Sequence, residues 1–271
     1  MANDSRFAVL IDADNVSVRY IKLILDEISK EGLATYKRIY GDWTNPALVS
    51  WKSTLLDNSV IPIQQYSYTS GKNSTDSAMI IDAMDILYSG QVEGFCLVSS
   101  DSDFTRLAAR LRESGMTVVG MGESKTPNSF IAACNQFKYL DILSEADEDE
   151  AEDPHPAESK KPAPKKAQKK APGKLPKAKD DPKQPQREEP KTSLRTIRKA
   201  LRSIVRENSD EEDWIFIGKV GNILGKRYPD FDVRNFGFSK LTPFLESLDM
   251  FEIKSTRKEG GSPQMYIRLK S

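Results

Sequence analysis

The chain holds one histidine in 271 residues, and that one, His155, lies between prolines in a polar stretch. Catalysis by Ser-His-Asp or Cys-His constellations needs a positioned imidazole, and catalytic zinc sites usually use one. Both chemistries are excluded, which leaves carboxylates, hydroxyls, amides and lysine. Cysteine is almost as scarce. Cys96 and Cys134 fall in separate apolar segments without paired spacing, as expected of buried free thiols in a reducing compartment rather than of a disulfide framework. No apolar run approaches membrane-spanning length, and the opening Met-Ala-Asn-Asp-Ser-Arg lacks the basic-then-apolar profile of a signal peptide. The expectation is a cytoplasmic protein with no membrane partner. Apolar residues are also few, 38% against 30% charged, a balance that leaves part of the chain without a core of its own.

Net charge is absent as well, but the zero is an average. Residues 1–144 carry 13 basic and 17 acidic side chains, 145–190 carry 11 and 12, and 191–271 carry 16 and 11. An acidic front half joined to a basic tail suggests a catalytic site coupled to an anion-binding module.

The pattern from Phe7 to about Leu143 alternates between strand-like and helix-like stretches. Phe7–Ile11 is a nearly continuous apolar run, Thr35–Tyr40 and Val60–Gln65 follow, and Phe95–Ser99 and Met116–Met121 complete five predicted strands. Between them, apolar residues recur at helical spacing, as in Ile21, Ile24, Leu25 and Ile28, or Leu107, Ala108 and Leu111. Strands separated by helices predict an α/β fold with an open parallel sheet covered on both faces. Residues 145–190 run from an acidic stretch into Lys, Pro and Ala, the composition of a disordered linker. From Thr192, three amphipathic segments around Leu201, Val220 and Leu245 precede a hairpin pattern at Met250–Lys254 and Met265–Leu269. Three helices and a hairpin predict a small winged-helix domain over 191–271.

The chemistry-bearing residues are acids at strand ends. Asp12 closes the first strand, with Asp14 and Asn15 just beyond. Asp76 opens a predicted helix, and Asp101 and Asp103 flank Ser102 after the fourth strand. Carboxylates at the carboxyl ends of buried strands converge on the crevice where open α/β sheets bind ligands. Gathered there they repel one another, so a hard divalent cation such as Mg²⁺ or Mn²⁺ is the natural neutraliser. Helix capping is the competing reading for Asp14, Asp76 and one of Asp101 and Asp103. Asp82 and Asp85 are secondary candidates, because they lie on other faces of the helix that Asp76 opens. Lys72, on the loop before Asp76, is placed to meet a phosphate. In the tail, Arg195, Arg198, Lys199, Arg202 and Arg206 recur three, four and seven apart and so form one basic stripe. Lys240 adds charge, and Tyr228 and Phe236 are candidates for base stacking.

These motifs resemble the NYN family, a branch of the PIN-like nuclease superfamily. Ile11-Asp12-Ala13-Asp14-Asn15 resembles its first motif, Lys72 through Asp82 its second, and Val98-Ser99-Ser100-Asp101-Ser102-Asp103-Phe104 its third. The run Phe231-Asp232-Val233-Arg234-Asn235-Phe236-Gly237-Phe238-Ser239-Lys240-Leu241 resembles the OST-HTH/LOTUS winged-helix domain. The resemblance implies a nuclease domain at 1–144 and an RNA-binding domain at 191–271. It further implies a metal-dependent endoribonuclease in which Asp12, Asp76, Asp101 and Asp103 ligate Mg²⁺ or Mn²⁺. Asn15 would orient the scissile phosphate or a water. A protein partner for the LOTUS-like domain and a homodimer both stay open. Two rival readings remain: an RNA-binding or scaffold protein that keeps the acidic pocket without cutting, and a phosphatase or phosphotransferase of the haloacid-dehalogenase type, whose nucleophile motif Asp12-Ala13-Asp14-Asn15-Val16 superficially resembles.

Overall fold

The computed structural model describes residues 5–66, 74–151, 192–256 and 263–270. The first domain is a six-stranded, all-parallel sheet. Its strands are β1 (Arg6–Asp12), β2 (Leu33–Gly41), β3 (Ile61–Gln64), β4 (Gly94–Val98), β5 (Thr117–Gly122) and β6 (Gln136–Tyr139), in the order β3-β2-β1-β4-β5-β6. Helices α1 (Ile21–Ser29), α2 (Trp51–Asn58), α3 (Ser74–Ser89), α4 (Thr105–Glu113), α5 (Asn128–Ala133) and α6 (Leu140–Ala151) make the crossovers and flank the sheet. Six of the seven β1 residues are buried, because this central strand is covered on both faces, which is why it reads as an unbroken apolar run. Each of its fully buried Val, Leu and Ile side chains contributes about 1.5–3 kcal/mol of transfer free energy.

Winding reverses between β1 and β4, which are neighbours in space although two strands and three helices separate them in sequence. That reversal opens a crevice at the carboxyl ends of the two strands. It puts the end of β1 (Asp12) beside the end of β4 and the loop that carries Asp101.

All five predicted strands form. Three elements were not anticipated. α5 and β6 have short, mixed sequences, and α6 extends into the acidic run assigned to the linker from residue 145. The rest of the predicted linker, like Lys72, lies outside the described residues. Gly115, at φ +83, closes α4 in the left-handed conformation, as expected of a glycine there. Gly32 serves a different need: a Cβ on it would lie 2.1 Å from the Ser5 carbonyl oxygen, where the start of β1 passes. Cys96 and Cys134 are buried and free. No helix among the described residues is long and apolar enough to cross a membrane.

The second domain is the winged helix: α7 (Leu194–Asn208), a short strand β7 (Ile215–Phe216), α8 (Ile217–Arg227), α9 (Leu241–Ser247), and the antiparallel pair β8 (Phe251–Thr256) and β9 (Gln264–Leu269). Its core gathers Ile197, Leu201, Ile204, Val220, Leu224, Phe244, Leu245 and Ile267.

The two domains touch through the loop after α8, which saddles the free edge of β6. In the middle, the Phe137 amide donates to the Pro229 carbonyl at 2.7 Å. Neighbouring side chains on a strand point to opposite faces, and the loop meets both. On one face the Tyr139 hydroxyl donates to Asp230 at 3.1 Å, and Asp230 also accepts from the Thr192 amide and hydroxyl. On the other face Lys138 reaches Glu27 of α1 at 2.8 Å, and Arg234 grips the same carboxylate with both terminal nitrogens at 2.6 and 2.8 Å. Glu27 is 1% exposed. Burial pushes its carboxyl up, but hydrogen bonds from Arg234, Lys138 and Lys30 outweigh that and hold it well below the usual carboxylate range. Sheet edges otherwise offer unpaired amides to any strand that comes near, and here the second domain covers one.

Candidate functional site

Each acid singled out from sequence arrives by a different element. Asp12 is the last residue of β1 and is completely buried. Its two oxygens are held from three directions: one accepts the Asp14 amide at 3.0 Å, and the other accepts Asn15 Nδ2 at 2.8 Å and Ser99 Oγ at 2.7 Å. Burial raises the Asp12 carboxyl, and these hydrogen bonds oppose the rise. Ser99 Oγ also accepts the Asp101 amide at 3.1 Å, so this buried serine ties the end of β1 to the loop after β4. Asp101 in turn accepts the Asp103 amide at 2.9 Å and caps the short 3-10 turn that leads into α4.

Asp76 sits in the first turn of α3, where the helix dipole favours an acid. Only 9% of it is exposed. Burial, then the charges of Asp12, Asp101, Asp103 and Asp14, push its carboxyl up to about 6. Asp76, Asp101 and Asp103 each present an oxygen, and the three lie within 4.8 Å of one another. Asp12 stands behind them, close enough to repel Asp76 but with its oxygens turned to Ser99 and Asn15. Capping and clustering are therefore both true of Asp101.

The donor set suits a hard cation. All three candidate donors are carboxylate oxygens, and the fold opposes ionisation of the one at Asp76. Two oxygens on opposite sides of Mg²⁺ stand about 4.2 Å apart, twice the bond of about 2.1 Å, so small side-chain adjustments bring this trio onto one ion. The other acids have separate jobs. Asp82 faces β2, paired with Arg38 and the Tyr40 hydroxyl, and Asp85 is exposed along α3.

In the second domain Arg195, Arg198, Lys199, Arg202 and Arg206 share one face of α7 and, with Ser203 and Glu207, line a concave surface of 710 Å³. Arg198 spends part of its guanidinium on the Leu248 carbonyl, at 2.9 Å. Lys240 is exposed ahead of α9. Phe236, a candidate for stacking, is partly buried against the core, its ring packed on Phe231 and Phe244. Tyr228 also packs against that core, partly buried. Other aromatics stand on the outer sheet. Phe216 and Tyr266 lie 5.8 Å apart, and Trp214 carries Lys254 and Arg268 over its ring. Sequence reading missed these, because Trp214 and Phe216 fall in a connection too short for a periodic pattern. Ser99 was passed over as an ordinary strand end, although an apolar strand finishing in Ser-Ser-Asp is the signal that points to it.

Comparison with known proteins agrees with both halves. The family pattern described as NYN domain matches residues 6–141, and that described as OST-HTH/LOTUS domain matches residues 192–263. No curated protein matches the chain. Among solved structures, a protein of unknown function from Vibrio parahaemolyticus is 18% identical, covering 51% of this chain and 93% of its own, with a TM-score of 0.42. An uncharacterized protein from Nitrosomonas europaea is 30% identical over 35% of this chain and 92% of its own, with a TM-score of 0.26.

Proposed function

Because the chain belongs to the NYN family of PIN-like nucleases and carries an RNA-binding OST-HTH/LOTUS domain, we propose that it is a Mg²⁺- or Mn²⁺-dependent endoribonuclease. The observation that carries this reading is the convergence of Asp76, Asp101 and Asp103 at the switch point of the sheet, each with a carboxylate oxygen within 4.8 Å of the other two. In that reading these three carboxylates hold the metal. When bound, the ion polarises the phosphodiester and supplies a water-derived nucleophile at neutral pH.

The chain's own residues do the rest. Ser99 and Asn15 hold Asp12 behind the trio, where its nearby charge adds to the field that retains a cation. The Asn15 amide keeps a second N–H for orienting the scissile phosphate, and its carbonyl oxygen can accept from a water. A carboxylate of the cluster takes the proton from the attacking water as the P–O3′ bond breaks, and the departing 3′ oxygen takes up a proton, leaving a 5′-phosphate and a 3′-hydroxyl. Lys72 would neutralise the phosphate from the loop before α3, and the α7 face, with Arg195, Arg198, Lys199 and Arg202, together with Lys240, would hold the flanking RNA.

The direct test incubates labelled single-stranded RNA with the full chain and its Asp101→Asn variant, with and without Mn²⁺. Metal-dependent cleavage that vanishes in the variant is the expected result. Binding that survives EDTA with no cleavage in Mn²⁺ would favour the non-cutting scaffold instead. A subtler variant probes the support around the ligands. Ser99→Ala removes the hydroxyl that fixes both Asp12 and the Asp101 loop, and outer-shell losses of this kind typically reduce metal affinity or activity about 10–100-fold. A Mn²⁺ titration of cleavage rate should show the loss as a higher half-saturating metal concentration.

A further inference from the structure

Where the loop after α8 saddles β6, it leaves a groove of 810 Å³ between the domains. One wall is the end of α4 with Arg112 and the β6 edge with Lys138. The other is the α8 face with Asn222, Gly225, Lys226 and Arg227. Four cations line it against two acids, Glu31 and Asp232; Lys138 is spent on Glu27 and Glu31 at 2.8 and 3.1 Å, and Arg234 pairs with Asp232 at 2.6 Å, which leaves the charges of Arg112, Lys226 and Arg227 to the groove. Among the described residues Arg227 pairs with Glu207 at 3.8 Å, with side chains 42% and 56% exposed, a contact worth little in water. Arg112 gives one terminal nitrogen to the carbonyls of Ala132 and Ala133, which fixes the guanidinium at the groove wall. A Cβ on Gly225 would meet nothing within 4 Å, so this stretch of helix backbone lies open to the groove. In a chain of zero net charge, the junction thus gathers uncompensated positive charge along a channel to which both domains contribute.

We propose that this interdomain groove is an RNA-strand binding site, in which Arg112, Lys226 and Arg227 contact backbone phosphates. The inference rests on the reading of the chain as an RNA-binding protein and adds a site distinct from the α7 face. The groove walls come from the ends of α4 and α5, beside the start of β5, where the Asn135 amide meets the Val118 carbonyl. Arg112 is held at that amino-terminal end by the carbonyls of Ala132 and Ala133, whereas the acids are at the carboxyl ends of the strands, about 15–20 Å further along a strand of five or six residues. The groove therefore anchors RNA remote from the bond to be cut, and only a strand long enough to reach both is gripped twice.

The test measures RNA affinity of the full chain in EDTA as a function of salt, for the wild type and for Lys226→Ala with Arg227→Ala, both exposed positions. Single-stranded RNA loses about 0.7 in the log–log salt slope per phosphate contact removed. The double variant should lower the slope by about 1.4 and weaken binding of a long oligonucleotide about tenfold at low salt, while a short oligonucleotide changes little. Arg234→Ala is a second perturbation, which leaves the groove cations in place but frees the walls from each other and should weaken long-RNA binding in the same direction. If the wild type binds RNA and the double variant matches it in affinity and slope, the groove is not a binding site. If the wild type binds no RNA, the functional reading itself fails. Binding of poly-L-glutamate in place of RNA, lost in the same variant, would assign the groove to an acidic protein segment and overturn the proposal.

Discussion

Asp76→Asn should make the metal-free protein harder to melt while abolishing metal-dependent cleavage. The Asp76 carboxyl is pushed from its ordinary 3.8 up to about 6 by burial and by the neighbouring carboxylates. Ionising it in the folded state at neutral pH therefore costs about 3 kcal/mol at most. An amide of the same shape carries no such penalty. The sign follows from linkage. A carboxyl raised in the folded state binds its proton more tightly there than in the unfolded chain, so stability falls as pH rises from about 4 to about 6 and is level above. Melting curves of the two proteins should coincide near pH 4 and separate above pH 6, with the variant higher. Adding Mn²⁺ should reverse the order, because only the wild type gains the stabilisation of a bound ligand. Removing several kcal/mol of transition-state charge stabilisation corresponds to a loss of about 10³-fold in rate. Equal melting temperatures without metal, or undiminished cleavage, would refute the account of this site.

Glu27 shows why acidity alone does not mark a site. Asp76 and Glu27 are both buried carboxylates, yet one titrates high and the other low. The difference is the company. Glu27 has Lys30, Lys138 and Arg234 around it, so its charge is spent within the fold. At Asp76, burial and the charges of Asp12, Asp101, Asp103 and Asp14 all oppose ionisation. A carboxylate whose ionisation the fold opposes, at the crevice of an open sheet, is the one expected to act.

That contrast also explains what sequence could and could not show. Asp12 and Asp101 were recognisable because buried parallel strands advertise themselves as unbroken apolar runs, and an acid at the end of such a run has no obvious structural purpose; Asp76 stood out only as an acid opening a helix. The winged helix was recognisable from the spacing of Ile197, Leu201 and Ile204, and of Val220 and Leu224. By contrast, β6 has four residues, Gln-Phe-Lys-Tyr, and its polar members are needed precisely where the periodic signal would be read: Lys138 faces Glu27 and not solvent. α6 begins apolar and continues into acids, so composition places a boundary where the helix does not end. Least visible was the contact between domains. Glu27 and Arg234 are 207 residues apart, and each alone reads as an ordinary charge on a helical or turn segment. Pairing at that separation is a property of the assembled surfaces, and no local pattern carries it.

The junction yields the second large expectation: Arg234→Ala should release the winged-helix domain from the sheet edge. Arg234 makes a two-pronged contact with a carboxylate that is almost wholly buried. Breaking a buried pair by deleting one partner typically costs about 3–5 kcal/mol, and the lower end applies here because Glu27 retains Lys30 and Lys138. Arg234→Lys should not restore docking, since an ammonium cannot reproduce the paired geometry of the guanidinium. Tyr139→Phe should be milder, about 1 kcal/mol, because Asp230 keeps Thr192 as a donor. Acid should act on the same contact. Glu27 is held below the ordinary carboxylate range, so it stabilises the assembly at pH values above the unfolded carboxyl value of about 4.3 and loses that contribution as pH falls further. Small-angle scattering of the full chain reads the outcome: a larger radius of gyration for Arg234→Ala than for the wild type at pH 7, and expansion of the wild type only below about pH 4. A variant whose scattering and melting curves superimpose on those of the wild type would show that Glu27 and Arg234 do not hold the domains together.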